Sequence, residues 1–179
     1  NAMAFYSKSI KTFQELIVRA RKEDLPCGTS NSHGEIELKQ LNKIYGTKFT
    51  AVPYKGTGQL IPDVVGGHVL CAYDQIAPYT QLQDKINFLA TSGNRPYKND
   101  VPLISSVLPG YYFVTWYAVG IPKNSPLATD TKFLNAVQWN KTKDLVDPMV
   151  DRSFVIEPAD ANLNIRAAKE SAHYQRLLK

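Results

Sequence analysis

Polar side chains and glycines cluster in three short segments, each placed directly after a predicted strand. The segments are residues 28–34 (GTSNSHG), residues 54–58 (YKGTG) and residues 73–75 (YDQ). Hydroxyls, an amide and the free backbone N–H groups at a helix start can hold a carboxylate or a phosphate. Ligands of open α/β sheets lie at the carboxyl ends of the strands, near helix N-termini. The three segments therefore predict a site for a small anionic ligand.

The residues of these segments that we predict to face a ligand are Thr29, Ser30, Asn31, Ser32, Tyr54, Gly56 and Asp74. Backbone N–H groups would hold the anion, and the hydroxyls would orient it. Helix capping is the other role open to these residues, since Ser30 or Ser32 can cap the helix that follows. For Asp74, capping of the next helix is favoured over contact with a ligand. Gly56 would let the backbone approach a ligand, although the Gly-Thr-Gly sequence is not a Walker motif.

The elements that must position these segments follow from the spacing of apolar residues. The predicted helices span 10–22, 35–45, 57–65, 76–82, 101–108, 126–145 and 159–178, and the predicted strands span 25–29, 49–53, 69–73, 86–91, 113–121 and 154–156. Gly46 is placed to end the second helix as its C-cap. Strands that alternate with helices indicate βα units and a mostly parallel sheet flanked by helices. The predicted fold class is therefore α/β.

The composition is that of a globular protein and carries no nucleic-acid-binding signature. The 179 residues are 44% apolar and 21% charged, and the net charge of +5 comes from scattered lysines and arginines. No long apolar run predicts a membrane span, and no basic-then-apolar leader predicts a signal peptide in this chain. His33, His68 and His173 lack metal-ligand spacing, and no nucleophile is followed by a suitable base. The sequence predicts neither an enzyme, nor a metal site, nor a cofactor.

The two cysteines, Cys27 and Cys71, do not form a CxxC motif, which excludes a dithiol redox site and a zinc site of the usual spacing. Two buried free thiols on neighbouring strands are the favoured expectation. A disulfide remains open if the folded strands place the two residues side by side.

Several phrases of the sequence resemble the tripartite tricarboxylate transporter receptors, the TctC or Bug family of extracytoplasmic solute receptors. Residues 49–56 (FTAVPYKG), residues 62–69 (PDVVGGHV) and the Tyr73-Asp74 pair resemble the family phrases VPYKG, DLLGG and FD. Further matches occur in the same order at residues 11–17, 89–93, 100–110 and 116–122. The resemblance spans nearly the whole chain. One departure is the loop at residues 27–35, which is shorter and poorer in glycine than its counterpart in the family.

The resemblance implies a lobe of a periplasmic binding protein-like (type II) fold. Residues 4–115 would be the ligand-binding lobe, and residues 116–179 would return toward a first lobe that is largely absent from this chain. The implied function is a periplasmic receptor that binds a small carboxylate, such as a di- or tricarboxylate or an acidic amino acid, and that serves membrane transporter subunits. The alternative is a truncated, non-binding remnant that self-associates, as a homodimer, through the surface left by the missing lobe.

Overall fold

The structure, a computed structural model, describes residues 3–93, 95–97, 100–113, 115, 121–122, 124–136, 165, 167–169 and 171–172. Its strands are β1 (Met3–Ser7), β2 (Leu25–Thr29), β3 (Phe49–Pro53), β4 (Cys71–Gln75) and β5 (Asn87–Thr91). Its α-helices are α1 (Phe13–Lys22), α2 (Ser32–Tyr45), α3 (Thr57–Gly66) and α4 (Thr131–Ala136). Short 3-10 turns occupy Ala77–Tyr79, Ile104–Ser106 and Pro126–Ala128.

The strands form one sheet in the order β3-β2-β4-β1-β5. Strand β2 runs parallel to β3 and to β4, whereas β1 runs antiparallel to both β4 and β5. Four strands therefore share one direction, and β1 opposes them. This arrangement confirms the predicted α/β class and the mostly parallel sheet. It also places the carboxyl ends of β2, β3 and β4 along one edge, with α2 and α3 starting there.

Strand β1 was not predicted from the sequence, although it lies between β4 and β5. Its five residues are all buried, so they show no alternation of polar and apolar side chains. A fully buried strand of this kind has little periodic signal, because both of its faces are covered. Its direction depends on pairing with residues that lie 66 (Tyr6 with Ala72) to 87 (Ala4 with Thr91) positions later in the chain, which local patterns do not reveal.

Alternating side chains of the central strands supply two cores, one on each face of the sheet. On one face, Phe5 and Tyr73 pack with α1 and α2, and their ring centroids are 4.4 Å apart. On the other face, Tyr6 and Ala72 pack with Leu60 of α3 and with other residues of the second core. Helices thus cover both faces, and Ser30 and Asn31 after β2 stay partly exposed at this edge.

The helices α1, α2 and α3 confirm the predictions for residues 10–22, 35–45 and 57–65. Gly46 ends α2 with φ of 67°, a left-handed conformation that glycine adopts without steric cost. The helices predicted at 76–82 and 101–108 are wrong in extent, because only the turns Ala77–Tyr79 and Ile104–Ser106 form. In the second case the backbone is drawn to the sheet, where Thr91 N donates to Pro102 O at 2.9 Å.

Strand β4 is displaced by two residues from the predicted 69–73. The backbone N–H groups of His68 and Val69 donate to Asp63 O, at 2.8 and 3.4 Å, and thereby complete the end of α3. At its other end β4 continues through Asp74, which pairs with Ala4 of β1. Asp74 therefore belongs to the strand itself and not to a loop after it.

The predictions for the C-terminal third fall largely outside the described residues. Helix α4 confirms one part of the helix predicted at 126–145, and the described positions among 165–172 are helical. The strands predicted at 113–121 and 154–156 lie mostly or wholly outside the part of the chain that the structure describes, as does the division at residue 116.

The favoured expectation of free thiols is wrong, because Cys27 and Cys71 form a disulfide. The parallel pairing of β2 and β4 places the two residues directly opposite each other, with 4.7 Å between their Cα atoms. That separation lies within the range that a disulfide requires. The bond joins the two strands whose ends carry Ser30 and Asp74, respectively.

Candidate functional site

The carboxylate of Asp74 is the centre of the polar cluster at the carboxyl edge of the sheet. Asp74 is fully buried. Its Oδ1 accepts hydrogen bonds from Ser30 Oγ at 2.8 Å, Asn31 Nδ2 at 3.0 Å and Gln75 N at 2.8 Å. Its Oδ2 accepts from Thr57 Oγ1 at 3.1 Å and from Tyr79 OH at 3.3 Å. One carboxylate therefore holds together the ends of β2, β4 and the start of α3.

Contacts between the two loops close the cluster. Ser30 Oγ lies 3.0 Å from Thr57 Oγ1, so the loop after β2 contacts the first residue of α3 directly. The ring of Tyr79 stacks on Tyr6, with 4.1 Å between the ring centroids, and this contact holds Tyr79 in the cluster. The three predicted segments thus meet in space, as the strand-end rule anticipated.

Opposing effects act on the pKa of Asp74. Burial raises the pKa of this carboxyl, because a buried charge loses its hydration. The hydrogen bonds from Gln75, Ser30, Thr57 and Tyr79 act in the other direction, but the effect of burial is larger. Burial, and after it the charge of Asp74, raises the pKa of Tyr79, whose hydroxyl is therefore a donor at neutral pH. The hydrogen bonds of the cluster thus offset part of the cost of burying this carboxylate.

The helix caps differ from those predicted. Asn31, and not Ser30 or Ser32, caps α2, because its side-chain oxygen accepts from Gly34 N at 3.0 Å. Asp74 does not cap the turn that follows it, since that turn has no side-chain cap. The favoured capping role of Asp74 is therefore wrong, and its carboxylate binds the two loops instead.

Helix α3 begins without a side-chain cap. Gly56 occupies its N-cap position, and a Cβ atom built there meets nothing within 4 Å. Gln59 N donates to Gly56 O at 3.1 Å, whereas the N–H groups of Thr57 and Gly58 precede the first bonds within the helix, and the helix dipole is positive at this end. The half-buried start of α3, beside Thr57 and Ser30, is thus the part of the cluster best suited to an anion.

Three of the predicted residues lie at the margin of the cluster. Thr29 is buried, and its hydroxyl donates to the carbonyl oxygen of Asn31 at 3.2 Å. Ser32 is exposed at the first residue of α2. Tyr54 donates its hydroxyl to Asp63 Oδ2 at 2.7 Å and packs against the second core. The structure therefore brings Ser30, Asn31 and Asp74 together, with Gly56 beside them, and directs Tyr54 toward α3.

Two residues of the cluster, Thr57 and Tyr79, were not among the predicted site residues. Thr57 follows Gly56 at the start of a helix, so the strand-end rule already contained the signal for it. Tyr79 lies in a turn five residues beyond Asp74 in a predicted helix, and nothing in the sequence links its hydroxyl to that carboxylate. Only the folding of this turn under the sheet edge brings them together.

Gly34, in the first turn of α2, lies against the backbone of a neighbouring strand and so determines how closely α2 approaches the sheet. A Cβ atom at this position would overlap Thr29 Oγ1 and would lie 2.9 Å from Thr29 Cβ and 3.1 Å from Tyr73 O. These atoms belong to β2 and β4, which have little freedom to move. Helix α2 therefore approaches the sheet edge as closely as a glycine allows.

Gly34→Ala is expected to lower the free energy of unfolding by about 2 kcal/mol, because the added methyl group forces α2 away from the sheet. Urea denaturation would measure this change. Gly58→Ala serves as the matched control, since a Cβ atom there meets nothing within 4 Å and alanine favours a helix. If Gly34→Ala and Gly58→Ala have the same effect on stability, the close approach does not matter.

Other kinds of site are not seen in the described residues. In the part of the chain that the structure describes, no group of three or more His, Cys, Asp or Glu side chains is arranged to hold a metal ion. Within the same residues, no helix has both the length and the apolar character needed to cross a bilayer.

Comparison with known proteins gives both distant relatives and close structural matches. No family model matches the chain. A UPF0065 protein of Agrobacterium vitis, from the TAR-I ttuE-ttuC' intergenic region, is 32% identical over 154 residues. That match covers 80% of this chain and 43% of the relative, so the chain spans less than half the length of this curated relative.

The solved structures show the fold. The periplasmic binding protein BugD superposes with a TM-score of 0.80 at 18% identity, over 98% of this chain and 63% of its own. An R. palustris protein with adipate gives 0.77 at 22% identity, over 98% and 64%. MatC from Rhodopseudomonas palustris with bound malate gives 0.76 at 21% identity, over 99% and 66%. The chain has the fold of the TctC/Bug-type solute-binding proteins. This result confirms the resemblance found in the sequence.

The cluster around Asp74 lies in the part of the chain whose sequence most resembles the TctC/Bug-type proteins. The match extends over nearly all of this chain but over only about two thirds of each solved structure. The sequence phrases that carried the resemblance, residues 49–56 and the Tyr73-Asp74 pair, contribute the start of α3 and the centre of the cluster. The most specific part of the TctC/Bug-like sequence thus coincides with the polar edge of the sheet.

Proposed function

We propose that this chain is the ligand-binding part of a solute receptor for a small carboxylate, and not an enzyme. The observation that carries the proposal is the uncapped start of α3 beside the Asp74 cluster. Unpaired N–H groups at a helix N-terminus hold a carboxylate without the need for a cationic side chain. The structural neighbours with adipate and with malate support the choice of a carboxylate, since both of those ligands are dicarboxylates.

The same comparison supports a periplasmic location and a role in transport. BugD is described as a periplasmic binding protein. The disulfide between Cys27 and Cys71 is consistent with this location, because structural disulfides persist in oxidising compartments. Under this proposal the receptor delivers its ligand to membrane transporter subunits. Self-association as a homodimer stays a prediction, which sedimentation velocity at several protein concentrations would test.

Gly56→Asp provides a direct test of the carboxylate site. The new side chain would cap α3 and would place a negative charge where the ligand carboxylate is proposed to bind. We expect carboxylate binding to fall by more than tenfold, about 1.4 kcal/mol or more, while the free energy of unfolding is unchanged or slightly higher. Isothermal titration with di- and tricarboxylates and acidic amino acids would measure binding, and urea denaturation would measure stability.

Gly56→Ala is the matched control, because it adds the same Cβ atom without a charge or a cap. It should retain binding. If Gly56→Asp binds the same carboxylates as the unmodified chain, the start of α3 is not the site. If the folded, unmodified chain gives no heat with any of these compounds, the proposed function itself is wrong.

A further inference from the structure

Strand β3 is the last strand of the described sheet, so one of its edges has no neighbouring strand among the described residues. The backbone of Lys48 and the backbone of Tyr54 bond to β2, with N···O distances of 2.8 and 2.9 Å. Backbone polar groups alternate in direction from one residue of a strand to the next. Phe49, Ala51 and Pro53 therefore direct their backbone polar groups to the opposite, outer edge of β3.

The side chain of Asn42, near the end of α2, occupies this outer edge at Phe49. Phe49 N donates to Asn42 Oδ1 at 2.7 Å, and Asn42 Nδ2 donates to Phe49 O at 2.8 Å. Thr47 Oγ1 also donates to Asn42 Oδ1, at 2.9 Å, and holds the amide in this position. A side-chain amide offers the same kinds of donor and acceptor as a peptide group. Asn42 thus makes the pair of bonds that the backbone of an added strand would make.

The remainder of the outer edge offers little to an added strand. Pro53 has no N–H group to donate, so Ala51 is the position of β3 that keeps both a donor and an acceptor at this edge. The strand, with the sequence FTAVP, contains no charged side chain. An uncharged strand with a free edge is a template for pairing with another chain, and proteins protect such edges with charges, prolines or covering groups. Here Asn42 and Pro53 supply the protection.

We infer that Asn42 and Pro53 close the outer edge of β3 to strand addition, so that copies of this chain do not associate through it. This inference does not depend on the proposed function. The competing explanation is that Asn42 serves only to join the end of α2 to β3. The two roles have different consequences, because the loss of a joining contact lowers stability alone, whereas an opened edge creates a new contact between copies.

Asn42→Ala is expected to open the edge and to let two copies pair through β3. Sedimentation velocity at several protein concentrations would compare this variant with the unmodified chain. The self-association constant should rise at least about tenfold, because the backbone groups of Phe49 become available to a strand of the second copy. Asn42→Ser, which offers one polar atom in place of two, takes the place of Asn42→Ala if that variant does not fold.

Thr47→Val is the matched control for the joining role of Asn42. It removes the hydrogen bond to Asn42 Oδ1 but leaves both bonds between Asn42 and Phe49. It should lower the free energy of unfolding, measured by urea denaturation, without an increase in self-association.

A double variant, Asn42→Ala with Ala51→Pro, tests whether the new contact uses the backbone of β3. Proline removes the N–H group of residue 51, which faces the outer edge, and costs no hydrogen bond to β2. The double variant should return to the self-association of the unmodified chain. Hydrogen exchange measured by NMR would locate the contact in Asn42→Ala, since the amides of Phe49 and Ala51 should become more protected as the protein concentration rises.

Three outcomes would overturn the inference. A folded Asn42→Ala that sediments like the unmodified chain at every concentration would show that the edge needs no protection. Equal self-association of Asn42→Ala and Thr47→Val would indicate a general loosening of the α2–β3 connection. Self-association that persists in the double variant, or that leaves the exchange of the Phe49 and Ala51 amides unchanged, would place the contact on another surface.

Discussion

Replacing Asp74 with alanine is expected to lower the free energy of unfolding by about 3 kcal/mol and to abolish measurable carboxylate binding. The substitution removes an acceptor that five donors share. The hydroxyl of Tyr79 is fully buried, so it would lose its partner without gaining water. Ser30 and Thr57 would lose the contact that joins β2, β4 and α3 at this edge.

Urea denaturation and isothermal titration of Asp74→Ala would measure the two effects. Asp63→Ala is the matched control, because Asp63 accepts a single side-chain hydrogen bond, from Tyr54 at 2.7 Å, and lies outside the cluster. Its expected cost is about 1 kcal/mol, with binding retained. Equal losses of stability in the two variants would mean that the shared acceptor has no special role. Retained binding in Asp74→Ala would mean that the loops hold their positions without it.

A second large effect, on stability, is expected from the ionisation of Glu37. This residue of α2 has its carboxyl group buried on the other face of the sheet. Its side chain is 1% exposed, and Tyr111 OH donates to its Oε2 at 2.9 Å. The hydroxyls of Tyr111 and Tyr73 lie 2.6 Å apart, so the three side chains join α2, β4 and the segment around residue 111. Burial raises the pKa of Glu37 to about 7, and the hydrogen bond from Tyr111 lowers it only in part.

The direction of the pH dependence follows from this raised pKa. Between pH 4.5, the ordinary pKa of the group, and about 7, the folded chain keeps a proton on Glu37 that the unfolded chain has released. The folded state binds more protons in this window, so its stability falls as the pH rises. The shift of the pKa corresponds to a loss of about 3 kcal/mol, complete above about pH 8.

Glu37→Gln keeps an oxygen that accepts from Tyr111 but cannot ionise, so it should remove this part of the pH dependence. Urea denaturation from pH 4 to pH 8 would show the difference in free energy between the two proteins change by about 3 kcal/mol. Glu35→Gln, at a half-buried position of the same helix, controls for the loss of a negative charge. Parallel curves for Glu37→Gln and the unmodified chain would contradict the assignment.

Local patterns were sufficient for much of this fold. Strands β2 and β3 and helices α1 to α3 each follow from apolar spacing and from end signals such as Gly46, because these signals act within a few residues. The rule that ligands lie at strand ends selected the loops after β2 and β3 together with Asp74. It did so because parallel strands bring their carboxyl ends to one edge whatever their order.

Other features depended on strand order and on contacts between distant residues. Strand β1 has two buried faces and pairs with β4 and β5, so its sequence shows neither its alternation nor its direction. The disulfide required that β2 and β4 be neighbours in a register that sets Cys27 opposite Cys71. The turn at Ala77–Tyr79 carries the Tyr79 hydroxyl that donates to Asp74, and no spacing of residues in the sequence predicts this contact.

The sequence by itself determined the class of the fold, the edge of the sheet at which the candidate site lies and three of the side chains that meet there: Ser30, Asn31 and Asp74. Short-range periodicity and strand-end chemistry contain that information. Only the tertiary structure decided that one buried carboxylate joins them to Thr57 and Tyr79, because strand order and a turn bring these two residues to it. Asp74, whose carboxylate is buried under two loops, accepts from Ser30 and Thr57 and so connects the end of β2 with the start of α3.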